Sequence, residues 1–272
     1  MSRYSIFSLA RNALNYHTDW ERAWRRAELT SEYDAVLIGA GGSGLATAYY
    51  LAKEHNLTNI AVIEKGWLGG GNTGRNTTII RSNYLQDSSI AIYELARSLY
   101  EDLSQDLNYN TMFSPRGVMM MCQNEHELRA FQRTAHANRL AGLDCRMIDR
   151  TEVKRLCPII NDSPDARYPI LGAYYQPRGG TGRQDAVAWG YARGADERGV
   201  DIVQNCEGLG INVENGKVTG IETSKGQIKT PKVAVVTAGH TSVVMEMAGV
   251  RMPVDSVCLQ ALVSEPIKTV ID

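Results

Sequence analysis

This chain of 272 residues has little net charge, few cysteines and no long apolar run, and each absence excludes a class of protein. Its 29 basic residues are balanced by 30 acidic ones, so no charge field points to nucleic acid or to an anionic membrane surface. No apolar stretch reaches the roughly 20 residues that a membrane span requires, and the first residues hold no signal peptide. Low-complexity tracts and internal repeats are also lacking. We therefore expect an α/β protein that binds neither nucleic acid nor membrane.

The cysteines are scattered, odd in number, and without a C-x-x-C pair, which argues against a disulfide framework or a zinc site. The five histidines show no ligand spacing either, so we predict no metal site. This usage is typical of a reducing cytoplasm, where we expect the protein to reside. The cysteines are Cys122, Cys145, Cys157, Cys206 and Cys258.

Residues 1–32 form a predicted N-terminal arm. The segment is amphipathic and rich in arginine, as transit peptides are, but Asp19, Glu21 and Glu28 argue against one. We leave two alternatives open, a plain surface arm and an arm that packs against a partner subunit.

From Tyr33 onward, a short apolar strand, a glycine-rich turn and a helical pattern follow one another. In a dinucleotide-binding fold, Gly39 makes the tight turn, Gly41 lets the backbone approach a pyrophosphate, and Gly44 lets the helix pack on the strand. The pyrophosphate then lies at the helix N-terminus. Glu64 ends the next apolar strand, 64 − 39 = 25 residues after the first glycine. That position suits a carboxylate that binds an adenosine ribose, so we predict a dinucleotide site.

The segment after Glu64 indicates which dinucleotide is bound. It reads KGWLGGGNTGRNTTIIRSNY, and its small hydrogen-bonding residues can wrap the phosphates and ribityl chain of an extended cofactor. A solvated loop is the alternative. A nicotinamide domain rarely needs such a loop, so we predict FAD. The candidate cofactor residues are Gly39, Gly41, Gly42, Ser43, Gly44, Glu64, Lys65, Asn72, Thr73, Arg75, Asn76, Thr77 and Gly239.

Helical spacing dominates the middle of the chain. Apolar residues recur at three- and four-residue intervals over Ile92–Leu103, Leu128–Leu140 and Ala188–Ala195, which predicts three helices. The run GVMMMC predicts a buried strand, in which methionines 119–121 fill the core.

Short strands dominate beyond Gly199. Asn215-Gly216 is a hairpin signal within a predicted antiparallel meander, and an apolar strand over 233–237 returns to a parallel sheet. The predicted fold class is α/β: a Rossmann-like FAD-binding sheet of the glutathione-reductase type with an antiparallel meander, plus an α+β substrate domain. The predicted boundaries are 33–84 with 185–272 for the FAD domain and 85–184 for the substrate or second-flavin domain.

A second glycine-broken turn, PRGGTGRQ at 177–184, runs directly into a helical pattern. It brings Arg183 and unpaired backbone N–H groups to a helix N-terminus, which is an arrangement that favours an anion.

Several longer runs carry a resemblance to a known family. They read GLATAYYLAKEH, AVIEKGWLGGGNTGRNTTIIRSNYL, SQDLNYN, DAVAWGYAR, DIVQNCE and LQALVSEPI, and they are spread from about Tyr4 to the last residue. On these runs the chain resembles the β subunits of heterotetrameric sarcosine oxidases, within the glycine and D-amino-acid oxidase (DAO) family of FAD proteins. Resembling chains continue past Asp272, so we expect an incomplete chain.

The resemblance implies non-covalent FAD and oxidation of a secondary-amine amino acid. Sarcosine would yield glycine, with formaldehyde or methylenetetrahydrofolate and hydrogen peroxide. It also implies α-, γ- and δ-type partner subunits, one of which binds tetrahydrofolate. Arg81 falls where related amine oxidases place a carboxylate-binding arginine, whose planar guanidinium suits a bidentate contact. Tyr84 matches a neighbouring active-site tyrosine. The alternative for Arg81 is a loop salt bridge.

The chain departs from the family pattern in three places. A histidine bonded covalently to FMN, the second flavin, usually stands where this chain has Gln184, and an amide nitrogen is not nucleophilic enough for that bond. Ser43 replaces another usual histidine, and Val257-Cys258 replaces His-Pro. The turn that holds Arg183 thus resembles an FMN site without its covalent tether. FMN is either bound there non-covalently or absent.

The sequence leaves several functions open. We favour an FAD-dependent amine-oxidising subunit that works with partner subunits. The alternative is an FAD-binding electron-transfer or dehydrogenase subunit without covalent FMN, and the loop after Glu64 disfavours a nicotinamide dehydrogenase. Sarcosine, dimethylglycine, proline-like and opine substrates would all suit Arg81.

Overall fold

The computed structural model describes residues 5–18, 22–260, 262 and 265. They form two compact units. The first unit contains the described residues up to Asn76 together with Gln184–Leu259. The second contains Thr77–Arg183 and the described residues beyond Leu259. No helix within these ranges is long and apolar enough to cross a membrane.

Helices and strands alternate along much of the chain. The helices are α1 (Ile6–Leu14), α2 (Gly42–His55), α3 (Asp87–Asp106), α4 (Glu125–Leu140), α5 (Arg150–Leu156), α6 (Gln184–Asp196) and α7 (Thr241–Glu246). The strands are β1 (Ala35–Ile38), β2 (Ile60–Glu64), β3 (Ile79–Ile80), β4 (Val118–Cys122), β5 (Arg146–Asp149), β6 (Gly172–Gln176), β7 (Gly180–Thr181), β8 (Asp201–Gln204), β9 (Gly208–Glu214), β10 (Lys217–Thr223), β11 (Gly226–Lys229) and β12 (Val233–Val235). Short 3₁₀ helices span Asn72–Arg75 and Ala238–His240.

The first unit is built on a parallel sheet of order β12-β1-β2-β8. Strand β1 lies between two parallel neighbours, with Ile38 opposite Ile63 of β2 and Val235 of β12. Every residue of β1 is buried, as expected of a parallel strand covered on both faces. Helices α2 and α6 pack against each other and against the sheet. The predicted strand, helix and strand at 33–64 are therefore confirmed, and so is the α/β class.

The antiparallel sheet β9-β10-β11 is the predicted meander. Asn215 (φ 51°) and Gly216 (φ 75°) both adopt the left-handed conformation between β9 and β10, which is the geometry of a two-residue hairpin turn. Ile221 of this sheet is buried in one core with Ile38 and Ile63. The returning strand is shorter than predicted, because the chain enters a 3₁₀ helix soon after Val235.

The second unit contains the antiparallel sheet β4-β6-β5 and the two-stranded ribbon β3-β7. The predicted strand GVMMMC exists, but the prediction that it is buried was wrong: only Cys122 is buried, and Met121 is 41% exposed. Strand β4 is an edge strand within the described chain, so its side chains are covered incompletely. Met119 and Met120 point to opposite faces and pack against two separate cores.

Helix α3 buries only part of the apolar stripe predicted over Ile92–Leu103. Ile92 and Leu95 are more than half exposed, whereas Ile90, Leu103 and the charged Arg97 are buried. The inward face of this helix is thus partly ionic.

The N-terminal arm is helical over α1, where every residue is exposed or half-buried. Further along, Arg25 connects the arm to the first unit: its Nε donates to Asp196 Oδ1 at 2.9 Å, and its Nη2 lies 3.4 Å from Asp201.

One backbone contact fixes how α2 packs on β1. A Cβ atom added at Gly44 would collide with the carbonyl oxygen of Gly39, whereas one added at Gly42 would meet nothing closer than 3.6 Å. We predict that Gly44→Ala lowers the free energy of unfolding by about 3 kcal/mol or more, because the clash is with backbone. Gly42→Ala, the matched control, should change it by less than about 1 kcal/mol. Urea unfolding checks both, and equal losses would contradict the packing argument.

Candidate functional site

The turn before α2 presents bare backbone. Gly39 has φ +112°, which favours glycine, and Gly41 is the N-cap of the helix. As a glycine, the N-cap offers no capping side chain, and the first turn of α2 carries no acidic residue. The positive end of the helix dipole therefore meets one neutral hydroxyl, that of Thr73, and no acidic side chain of its own turn, which suits a phosphate.

The carboxylate of Glu64 lies beside this turn. Its Oε2 accepts a hydrogen bond from the Ala40 N–H at 3.0 Å, and its Oε1 accepts one from the Gly66 N–H at 2.9 Å. Two backbone donors thus fix a half-buried carboxylate at the carboxyl end of β2. Its remaining lone pairs can accept hydrogen bonds from a ribose diol.

The glycine-rich loop folds back onto the same turn. The Gly42 N–H donates to Thr73 Oγ1 at 2.9 Å, and the Gly69 N–H donates to the Ala40 carbonyl at 2.9 Å. Asn76 Nδ2 donates to the Thr73 carbonyl at 2.6 Å, which closes the loop on itself. The structure therefore brings Thr73 and Asn76 to the glycine turn, as a wrapping role requires. The other side chains proposed from the sequence of this region are exposed: Ser43, Lys65, Asn72, Arg75 and Thr77.

A residue that the sequence reasoning missed lies at the same turn. The Cα of Thr237 is 3.7 Å from where a Gly39 Cβ would be, and its buried Oγ1 has no hydrogen-bond partner among the residues that the structure describes. A buried hydroxyl without a partner is costly, so this oxygen is available to a polar group of a ligand at the turn. Gly239 follows on an exposed 3₁₀ helix, and its carbonyl accepts from Ser256 Oγ at 2.5 Å. Thr237 itself is half-buried, and only the burial of its hydroxyl oxygen distinguishes it, which no sequence motif reveals.

These features fit a dinucleotide. The glycine turn lets backbone approach a pyrophosphate, the fixed carboxylate of Glu64 suits a ribose, and the Thr237 hydroxyl has no partner among the described residues. An added Cβ at Gly41 would be 3.1 Å from Thr73 Oγ1, so a side chain there would press on the loop that folds back onto the turn.

In the second unit, Arg81 is held by an amide and a ring. Its Nη1 donates to Asn83 Oδ1 at 2.7 Å, and its Cζ lies 4.3 Å from the ring centroid of Tyr84. Tyr84 in turn stacks on Tyr93 with centroids 4.1 Å apart. No carboxylate within the described ranges pairs with Arg81. A guanidinium with fixed orientation and no acidic partner can bind a carboxylate of a ligand.

Burial raises the pKa of Tyr84 above its ordinary value, and the nearby Arg81 opposes that shift only partly. Tyr84 therefore stays protonated at neutral pH and can donate a hydrogen bond.

The turn at 177–184 was predicted to present unpaired backbone N–H groups, but two N–H groups at or next to it are already hydrogen-bonded. Arg183 is exposed, and its N–H donates to the Thr111 carbonyl at 3.2 Å. The helix begins at Gln184, as predicted, but Asp185 Oδ1 accepts the Ala186 N–H at 2.8 Å. That carboxylate occupies part of the positive helix end, which weakens the case for a bound anion.

Comparisons with known proteins agree with this geometry. The family model "FAD dependent oxidoreductase" (DAO) matches residues 34–271. The chain is 60% identical over its whole length to sarcosine oxidase subunit beta of Rhodobacter capsulatus, and 52% identical over 99% of its length to that of Rhizobium meliloti. It spans 66% and 65% of the lengths of these two relatives. Among solved structures, L-proline dehydrogenase of P. horikoshii matches with a TM-score of 0.75 and 25% identity, over 82% of this chain and 57% of that one.

Proposed function

Because this chain belongs to the DAO family of FAD-dependent oxidoreductases, we propose that it oxidises a secondary-amine amino acid, sarcosine, as the β-type subunit of an oxidase. The two relatives at 60% and 52% identity, both named as sarcosine oxidase β subunits, support this substrate. The structural observation that carries the proposal is Arg81, which stacks on Tyr84 and has no acidic partner among the described residues.

The first unit would hold FAD non-covalently. Its pyrophosphate would lie on the turn from Gly39 to Gly44, its adenosine ribose on Glu64, and a polar group against Thr237, with Thr73 closing over the turn. FAD, when bound, supplies the redox chemistry by accepting a hydride equivalent from the carbon next to the amine. The other residues of the proposed cofactor set are Lys65, Asn72, Arg75, Asn76 and Gly239 of the first unit, and Thr77 by its place in the sequence.

The second unit would bind the amino acid. Arg81 would take the carboxylate through two parallel N–H donors, which orients the substrate in one direction only. Tyr84, protonated at neutral pH, would donate a hydrogen bond and keep Arg81 in place through its ring. The protein thus contributes orientation and electrostatics.

A second candidate function rests on Gln184. Without a nucleophilic nitrogen at this position, the chain cannot hold FMN covalently there, and it would then serve as an FAD-binding electron-transfer or dehydrogenase subunit for a related amine. Dimethylglycine, proline-like and opine substrates carry the same carboxylate that Arg81 would bind. Arg183 and Gln184 would in this case contact FMN non-covalently or not at all.

Partners and location follow from the same proposal. We expect α-, γ- and δ-type subunits, with tetrahydrofolate bound by a partner. All five cysteines lie in the described ranges and are free, and four of them are buried. That usage supports a cytoplasmic location.

We predict that Glu64→Gln weakens FAD binding by about 1–3 kcal/mol, because an amide offers one acceptor oxygen where the carboxylate offers two and a charge. Titration of the flavin-free, full-length protein with FAD, followed by fluorescence, measures the change. Glu54→Gln, at an exposed position on α2, is the control and should bind FAD normally. A full-length protein that purified colourless and took up no FAD would overturn the cofactor assignment.

Arg81→Lys should raise KM for amino-acid substrates by about 10- to 100-fold, because a point charge replaces a planar fork. Amines without a carboxylate should change little. Steady-state kinetics on both substrate classes checks this, with the exposed Arg133→Lys on α4 as control. Equal losses for both classes would show that Arg81 only supports its loop.

Denatured protein should release all of its flavin, because Gln184 offers no nitrogen able to form the covalent bond. Mass spectrometry of the tryptic peptide that begins at Gln184 measures this, and a flavin mass on that peptide would contradict the prediction. Gln184→His should permit an adduct when the α-type partner is present. Cys206 and Cys258 are the other positions to inspect.

A further inference from the structure

An ionic ladder runs along α3 around one buried arginine, Arg97, whose partners Glu94 and Glu101 are each 31% exposed. The guanidinium of Arg97 is 1% exposed, and it forms a two-point contact with Glu94, with Nε–Oε2 and Nη2–Oε1 distances of 2.9 and 2.6 Å. On the next turn, Arg97 Nη1 donates to Glu101 Oε1 at 2.7 Å. The pKa of Glu94 is lowered, first by its hydrogen bond to Arg97, so this carboxylate remains ionised.

One end of the ladder reaches the segment that carries Arg81. Ser82 Oγ donates to Glu94 Oε2 at 2.5 Å and accepts from Gln176 Nε2 at 2.6 Å. The Ser82 N–H donates to Gln176 Oε1 at 3.1 Å. Both Ser82 and Gln176 are completely buried, so the residue that follows Arg81 is fixed by its backbone and its side chain.

The other end of the ladder reaches the turn between β6 and β7. Arg178 contacts Glu101 through two nitrogens, at 3.2 and 2.7 Å. Gln176 and Arg178 precede β7, which is hydrogen-bonded to β3 immediately before Arg81. The ladder therefore connects α3 to Ser82, which follows β3, and to Arg178, which precedes β7.

A buried arginine at this place is not explained by stability alone. Apolar residues of similar volume in place of a buried ion pair are often neutral or stabilising, since the charges lose their hydration on burial. What the ionic arrangement adds is directionality: the planar fork of Arg97 fixes Glu94, and Glu94 fixes Ser82.

We propose that Arg97 is a positioning residue for Arg81, acting through Glu94 and Ser82 to hold the guanidinium where it receives the substrate carboxylate. This inference rests on the proposed function, in which Arg81 binds that carboxylate. Arg97 contacts neither substrate nor cofactor in this scheme; it sets the orientation of the group that does.

The test uses full-length, flavin-loaded protein and two variants. Arg97→Lys keeps the charge but cannot form the fork and reach Glu101 together. Ser82→Ala cuts the link to the loop and leaves the ionic ladder intact. Each should raise KM for sarcosine by about 10- to 100-fold with a smaller change in kcat, whereas N-methylethylamine, which lacks the carboxylate, should change less than about threefold.

Arg129→Lys is the matched control. It alters an exposed Glu125–Arg129 pair on α4 with the same i,i+4 spacing as Arg97 and Glu101, and side chains 76% and 78% exposed. It should leave both substrates unaffected. If Arg97→Lys and Ser82→Ala lower activity on both substrates equally, the ladder only stabilises the fold and the proposal is wrong.

A binding measurement gives a readout without turnover. Butanoate has the length and carboxylate of sarcosine but no amine, and butanamide is its neutral counterpart. Perturbation of the flavin absorbance by butanoate should require higher concentrations, by about 10-fold or more, in Arg97→Lys and Ser82→Ala. Unchanged butanoate affinity in both variants would overturn the positioning role.

The double variant Arg81→Lys with Arg97→Lys distinguishes a failure of the positioning role from a failure of the proposed function. If Arg97 acts through Arg81, Arg97→Lys should add no further loss of butanoate affinity to Arg81→Lys. An Arg81→Lys variant that discriminates between butanoate and butanamide as the unmodified protein does would refute carboxylate binding itself. A selective Arg81→Lys effect with additive losses in the double variant would refute only the positioning role.

Discussion

The close approach of Gly44 to the carbonyl of Gly39 is the constraint on which the cofactor site depends. It allows α2 to begin directly above the end of β1, so that the helix N-terminus, the bare turn and the carboxylate of Glu64 lie together. Hydrogen bonds from Ala40 and Gly66 to that carboxylate, and from Gly42 to Thr73, follow from this placement. A methyl group added at Gly44 would push α2 away from the end of β1, and these hydrogen bonds would be lost.

In the proposed function, the two units would recognise their ligands by different means. The first would use backbone amides and missing side chains, because a pyrophosphate needs close approach and N–H donors. The second would use Arg81, which is held by Asn83 and the ring of Tyr84, because a small carboxylate needs one well-oriented cation. The spacing of glycines in the sequence indicates the proposed cofactor site. The proposed carboxylate site depends on residues far apart in the chain.

That difference explains where sequence reasoning succeeded and where it failed. The strand, turn, helix and carboxylate at 33–64 are local features, and the fold and FAD family follow from them. The burial of the Met119–Met121 strand was predicted wrongly, since apolar composition does not reveal that a strand lies at a sheet edge. Helix α3 likewise exposes Ile92 and Leu95 and buries Arg97. The charge of Arg97 can be buried because Glu94 and Glu101 of the same helix pair with it.

The sequence by itself determined the class of fold, the glycine turn and the candidate ligands of the cofactor, because those depend on periodicity and on short spacings. Tertiary structure alone decided that Thr237 leaves a buried hydroxyl at the turn, and that Gln176 meets Ser82 across 94 positions of the chain. Hydrogen bonds between distant residues require a specific chain path, and no local pattern encodes that path.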